Sequence, residues 1–149
     1  MAEPARSRHL DWEGCLNLRD LGGHPTEDGG ETAWGAFVRG DTVCALTDAG
    51  RSSLRDYGIR TILDLRSASE LEREPNPFAN VPEEVAYLHR PLNDPSVAER
   101  IGAMPKGADR YVAMAEAGGA RIAGILRAMA AAPAGGILFH CFAGRDRTG

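Results

Sequence analysis

The chain has 149 residues, 43% of them hydrophobic and 26% charged, with a formal net charge of −4. That length suits one domain, 1–149, with a core that needs no disulfide staples. The charge argues against a nucleic-acid partner, and no apolar run approaches the roughly 18 residues of a membrane span.

Cys15, Cys44 and Cys141 are widely spaced, and four histidines offer no metal-ligand spacing. We therefore expect no disulfide framework, no metal and no cofactor. The polar opening "MAEPARSRHLDWEG" has no signal-peptide core, so a reduced, cytoplasmic chain is expected. Residues 1–12 read as a loose arm.

"CLNLRDLGG" (15–23) alternates apolar and polar residues and ends in Gly-Gly, the pattern of a short strand running into a turn. "WGAFVRG" (34–40) reads as a second short strand. Thr47 or Asp48 can cap a helix that closes on Gly58, which suits a left-handed C-terminal cap. "IRTILDLR" (59–66) follows as a buried strand. Ser67 and Glu70 stand at capping-box spacing and start a brief helix that "EPNP" ends.

"VAYLHRPL" (85–92) is the next strand. From about Pro95 to Ala132 the pattern is mostly helical, with Gly118-Gly119 dividing a shorter helix from a longer one. Ile122, Ile125, Leu126 and Met129 form the apolar stripe of the longer helix. "GILFH" (136–140) is a strand that delivers Cys141. Strands alternating with helices predict an α/β fold with a mainly parallel central sheet flanked by helices. Ligands bind such sheets at the carboxyl ends of the strands, where "HCFAGRDRTG" (140–149) lies.

That loop concentrates chemistry. A free thiol has a pKa of roughly 8.5, and nearby guanidinium groups and inward backbone N–H groups pull it down to roughly 4–6. The same N–H groups form an anion nest. Gly144 permits the tight backbone, and Arg147 can fold back to give two N–H donors to two phosphoryl oxygens. A lone cysteine at a strand end would read as structural. Strand, glycine and the spacing Cys-x5-Arg-Thr-Gly together point instead to phosphoryl transfer onto sulfur.

"HCFAGRDRTG" resembles the signature of protein tyrosine phosphatases, and more narrowly that of the atypical bacterial tyrosine/lipid phosphatases. "NLRDLGG" (17–23), "FVRGDTVCALTDAGRSSLRDYGIRTILDLRSASE" (37–70) and "HRPLND" (89–94) resemble segments of the same family, in the same order. The resemblance implies a tyrosine-phosphatase-like fold, with Cys141 as nucleophile and Arg147 as phosphate clamp. It implies that Thr148 bonds the sulfur and that Phe142, Ala143, Gly144, Arg145 and Asp146 supply backbone N–H groups. It further implies phosphorylated protein or phosphoinositide substrates.

The family carries lysine where this chain has Arg145, a planar fork in place of a point charge. For the general acid, the resemblance favours Asp94, and Asp146 competes from inside the loop. His140 is expected to buttress the loop by a side-chain to backbone bond. Asp64 with Arg66, and Arg19 with Asp20, are expected to orient loops.

Two other readings stand beside the phosphatase. One is a catalytically impaired phosphate-binding module, since the sequence stops where the family continues into C-terminal helices. Their lack would leave a sheet face open to self-association. The other is a rhodanese-like sulfurtransferase.

Overall fold

The structure is a computed structural model that describes residues 6–93 and 95–149. The sheet is built from β1 (Arg19–Asp20), β2 (Phe37–Gly40), β3 (Ile59–Asp64), β4 (Ala86–His89) and β5 (Gly136–His140), in spatial order β1-β2-β5-β3-β4. Only β1 and β2 pair antiparallel; β2, β5, β3 and β4 run parallel. This is the α/β architecture expected, with a mainly parallel sheet.

Parallel strands need crossovers. The first is α1 (Asp48–Asp56), between β2 and β3. Thr47 starts it by accepting the Gly50 N–H at 3.2 Å, and Gly58, at φ 96°, turns the chain out of it. The short α2 (Ala68–Arg73) follows β3, and α3 (Pro95–Gly102), α4 (Ala108–Ala117) and α5 (Gly119–Ala130) connect β4 to β5.

The strands alternate between two cores. Ile62 and Leu138 join Leu54 of α1, Leu18, Val38 and Trp12 on one face. Leu63 joins Ile125 of α5, Leu65 and Cys141 on the other, with Phe139 and Met129 packed against them. Both faces of the sheet thus carry helix. Among the described residues no helix is long and apolar enough to cross a membrane.

Several boundaries differ from expectation. The strand expected over 15–23 shrinks to Arg19–Asp20, because Leu16 and Asn17 spend their N–H groups on the Asp41 carboxylate, at 2.9 and 3.1 Å. Gly22 likewise donates to the Asp20 side chain at 2.7 Å instead of to a neighbouring strand. The strand expected over 34–40 starts at Phe37, after a turn in which Gly35 has φ 74°. That over 85–92 is Ala86–His89.

β3 ends at Asp64 and not at residue 66, since the Arg66 N–H turns back to the Asp64 carboxylate at 3.0 Å. The helical stretch breaks twice, at Gly118 and also around Pro105, before α4. Leu126 of the apolar stripe is 59% exposed, while Ile125 is buried.

Residues 8–12, expected as part of a loose arm, lie along the sheet edge. Leu10 donates to Leu18 O at 3.2 Å, Asp20 donates to Arg8 O at 2.8 Å, and both Leu10 and Trp12 are buried.

Candidate active site

Because β2, β5, β3 and β4 are parallel, their carboxyl ends share one edge. Pairing places Gly40 and Asp64 on either side of His140. The next residue, Cys141, therefore emerges between the loops that follow β2 and β3. Its side chain is 2% exposed, and the Gly144 N–H donates to Sγ at 3.2 Å. Thr148 Oγ1 lies 4.0 Å from the same sulfur.

The loop is held from outside. Asn17 Nδ2 donates to Ala143 O and Gly144 O, both at 3.1 Å. Arg39 donates to Gly144 O at 2.9 Å, and Thr42 N–H to Phe142 O at 3.0 Å. With its carbonyls tied outward, the loop can turn N–H groups toward sulfur. Gly144 sits at φ 65°, and a Cβ there would come within 2.5 Å of Asp41 N. Only glycine fits this position.

Beneath the loop lies a buried polar network. Arg66, fully buried, donates to Asp64 through Nε at 3.0 Å and through a terminal nitrogen at 2.8 Å. Asn76 Nδ2 donates to Asp64 Oδ2 at 3.0 Å and to His140 Nε2 at 3.1 Å. That fixes the tautomer: His140 Nδ1 carries the hydrogen and donates to Cys141 O at 3.0 Å.

Burial lowers the His140 pKa, so the ring stays neutral and works as a strut. Burial alone would push the Asp64 carboxyl up; the Arg66 bonds and neighbouring donors overcome it and hold the group at about 2. Burial pushes the Cys15 thiol up to about 12 and raises Cys44 as well, which keeps both in the unreactive thiol form.

Arg147 stands beside this cradle, half-buried, its fork engaged bidentately by Glu70 at 2.6 and 2.8 Å. The same carboxylate accepts the Ser67 N–H at 2.8 Å, completing the capping box of α2. The helix start and the arginine therefore share one anchor. The Arg147 bond holds the Glu70 carboxyl at about 2.

On the far side, the Asp146 carboxylate is exposed and accepts the Tyr111 O–H of α4 at 2.5 Å. Phe142 and Arg145 project outward. Of the residues expected at the site, Cys141, Gly144, Arg147, Thr148 and His140 converge on the thiol side. Phe142, Ala143, Arg145 and Asp146 form the exposed rim. Asp94 lies outside the described residues.

A thiol that receives the Gly144 N–H, with a fork-shaped cation six residues on, has the donor set that phosphate binding requires. The sequence profile described as the tyrosine phosphatase family matches residues 10–149. The chain belongs to the tyrosine phosphatase family.

Among its relatives in that family, a tyrosine-protein phosphatase of Nostoc commune is 30% identical over 119 residues, which is 76% of this chain and 40% of that protein. The triple specificity protein phosphatase PtpB of Mycobacterium tuberculosis is 31% identical over 166 aligned positions, 91% of this chain and 58% of that protein. The chain thus spans well under two thirds of the length of either tyrosine phosphatase relative.

Sequence reading missed three parts of this loop's support: Glu70 as the partner of Arg147, and Asn17 and Arg39 as ties on the loop carbonyls. Glu70 was visible only as a local cap, because its second partner is 77 positions away.

Glu70→Gln is a direct check on that shared anchor. The amide keeps hydrogen-bonding capacity but loses the charge that orients the fork. A roughly tenfold fall in kcat/KM for a phosphate monoester is expected. Above pH ~4.5 the native Glu70–Arg147 pair is intact, and its stabilisation is lost as pH falls toward the folded value of about 2. The variant should therefore lose less stability than wild type across that acid range. Thermal melts from pH 2 to 7 compare them, and parallel curves would show that the pair contributes nothing.

Proposed function

We propose that the chain hydrolyses phosphate monoesters, phosphotyrosine above all, through a cysteinyl-phosphate intermediate and with no metal. The observation that carries this reading is the cradle itself: Cys141 Sγ under the Gly144 N–H at 3.2 Å, Thr148 Oγ1 at 4.0 Å, and the Arg147 fork alongside. The proposed range extends to phosphoserine, phosphothreonine and phosphoinositides, and a relative named as a triple specificity protein phosphatase supports a range wider than one substrate.

In the first step the Cys141 thiolate attacks phosphorus, the S–P bond forms and the P–O ester bond breaks. The leaving oxygen takes a proton from a general acid. Loop N–H groups and the Arg147 guanidinium, through the donors that its pairing with Glu70 leaves free, hold the charge that spreads over the equatorial oxygens. In the second step water attacks phosphorus, the S–P bond breaks and the thiolate is restored. The water's proton passes to the carboxylate that gave one up. Thr148, whose Oγ1 lies 4.0 Å from the sulfur, stabilises the thiolate as it leaves.

We assign the acid to Asp146, whose exposed carboxylate lies within the loop and accepts the Tyr111 O–H through one oxygen. Asp94 is the alternative by position in the chain. On an aryl phosphate with a poor leaving group, Asp146→Asn is expected to lower kcat about a hundredfold. An equal fall in Asp94→Asn with Asp146→Asn unaffected would reverse the assignment.

The test of the reading itself is turnover of p-nitrophenyl phosphate followed by rapid denaturing quench and peptide mass analysis. A phosphoryl group on the Cys141 peptide is expected. Phosphate bound without turnover would favour the impaired binding module. Sulfur transfer from thiosulfate with no phosphate release would favour the sulfurtransferase.

A further inference from the structure

Asn76 lies between Pro75 and Pro77 in the loop after α2, 2% exposed and 64 positions before His140. The two prolines restrict its backbone, and every polar group of its side chain is used. Nδ2 donates one hydrogen to Asp64 Oδ2 at 3.0 Å and the other to His140 Nε2 at 3.1 Å. Oδ1 accepts the Phe78 N–H at 3.1 Å. Phe78 is itself buried, in one core cluster with Leu54 and Val85.

The amide has one workable orientation. Flipped, its oxygen would face the Asp64 carboxylate and its hydrogens would meet the Phe78 N–H. That orientation decides a choice the ring cannot make by itself. A neutral imidazole carries its hydrogen on either nitrogen, and Asp64 Oδ2, 3.5 Å from Nε2, would draw it to that side. The Asn76 donor serves both atoms, so Nε2 accepts and Nδ1 keeps the hydrogen that reaches Cys141 O at 3.0 Å.

We propose that Asn76 is a positioning residue for the reaction at Cys141. By holding His140 in the Nδ1–H tautomer it fixes the Cys141 carbonyl, and with it the backbone from which the signature loop turns its N–H groups toward phosphate. The proposal rests on the phosphatase reading of the loop and adds a residue that acts only through His140.

The groups around the ring set the sign of the effect. Asp64 and Arg66 face it from the end of β3, Tyr87 of β4 bonds the same carboxylate, and Asp41 acts from the loop after β2. Without the Asn76 donor, Nε2 takes a hydrogen and turns to Asp64. At low pH the ring then carries two hydrogens and still serves the Cys141 carbonyl. As pH rises one is lost, the other stays beside the Asp64 carboxylate, and Nδ1 presents a lone pair to Cys141 O.

Nitrogen NMR of the labelled protein, with His140 assigned through the backbone, reads the tautomer. Wild type should carry hydrogen on Nδ1 alone. Asn76→Asp has nearly the same shape but cannot donate when ionised, and should show hydrogen on Nε2, as should Asn76→Ala. In Asn76→Ala, kcat/KM for p-nitrophenyl phosphate should be about tenfold lower at neutral pH. That deficit should widen as pH is raised from about 5 to about 8. Asn76→Asp keeps the packing volume and so protects the test against misfolding of the alanine variant.

Hydrogen on Nε2 in wild type, or on Nδ1 alone in both variants, would overturn the proposal. So would a rate deficit that stays constant with pH, which is what lost packing alone would give. If wild type does not turn over p-nitrophenyl phosphate, the phosphatase reading fails separately, and orthophosphate binding decides the role of Asn76. Affinity about tenfold lower in both variants upholds it as the residue that positions the loop; equal affinity overturns it.

Discussion

Cys141→Ser is expected to lower the turnover of p-nitrophenyl phosphate at least about a thousandfold and to leave orthophosphate binding nearly intact. The reason is local. Sulfur at this position receives an N–H from Gly144 at 3.2 Å and sits within reach of Thr148, so a thiolate is stabilised by the same groups that would hold the phosphate. A serine hydroxyl in the same cradle stays protonated at neutral pH, and His140, which points Nδ1 at the Cys141 carbonyl and is neutral, does not serve it as a base. Binding depends instead on N–H groups and the Arg147 fork, which the substitution does not touch.

A purely structural thiol would behave differently. Cys141 belongs to the buried cluster of Leu63, Leu65 and Ile125, so a structural role predicts a stability loss of about 1 kcal/mol and an unchanged rate. Steady-state kinetics together with a melt in the presence of phosphate separates the two. A variant that keeps a tenth or more of the wild-type rate would remove Cys141 from the mechanism.

The sequence made β5 and its loop legible because every signal there is local. Gly-Gly punctuation, a short apolar run and a fixed Cys-to-Arg spacing sit within fifteen residues. The cap at Thr47 and the capping box at Ser67 were legible for the same reason. What stayed hidden is long-range. Asn17 reaches the loop carbonyls across 126 and 127 positions, and Arg39 across 105; no periodicity encodes such contacts.

The shortening of the strand expected over 15–23 has a related cause. Its alternation was real, but the Asp41 carboxylate drew off the N–H groups of Leu16 and Asn17 that a strand would have used. Residues 8–12 misled in the opposite sense. Leu10 and Trp12, two apart, are the apolar residues of this short stretch, and both are buried against the sheet edge.

The largest stability effect is expected below the loop, at Arg66. Its guanidinium and the Asp64 carboxylate are both fully buried and 2.8 Å apart. Arg66→Ala strands a carboxylate that burial already disfavours, so a loss of about 3–5 kcal/mol is expected, seen as a melting temperature lower by roughly 10–20 °C.

The cost comes mainly from the orphaned charge, so it should shrink when that charge is removed too. In an Asp64→Asn background, Arg66→Met should cost at least about 2 kcal/mol less than it does in wild type. Asparagine keeps an oxygen for Asn76, the residue that also donates to His140 Nε2. The pair also fixes a pH signature. Because the Asp64 carboxyl is held at about 2, below its unfolded value near 4, its stabilisation is complete above pH ~4 and disappears as pH falls through 2.

The effect on rate follows the same line of contacts. Arg66 holds Asp64, Asp64 holds Asn76, Asn76 fixes the His140 ring, and that ring holds the Cys141 carbonyl. Arg66→Ala should therefore lower kcat even at temperatures where the variant is folded, whereas the paired Asp64→Asn/Arg66→Met variant should recover part of it. Strict additivity of the two substitutions, in both melting and rate, would show that the network does not act as a unit.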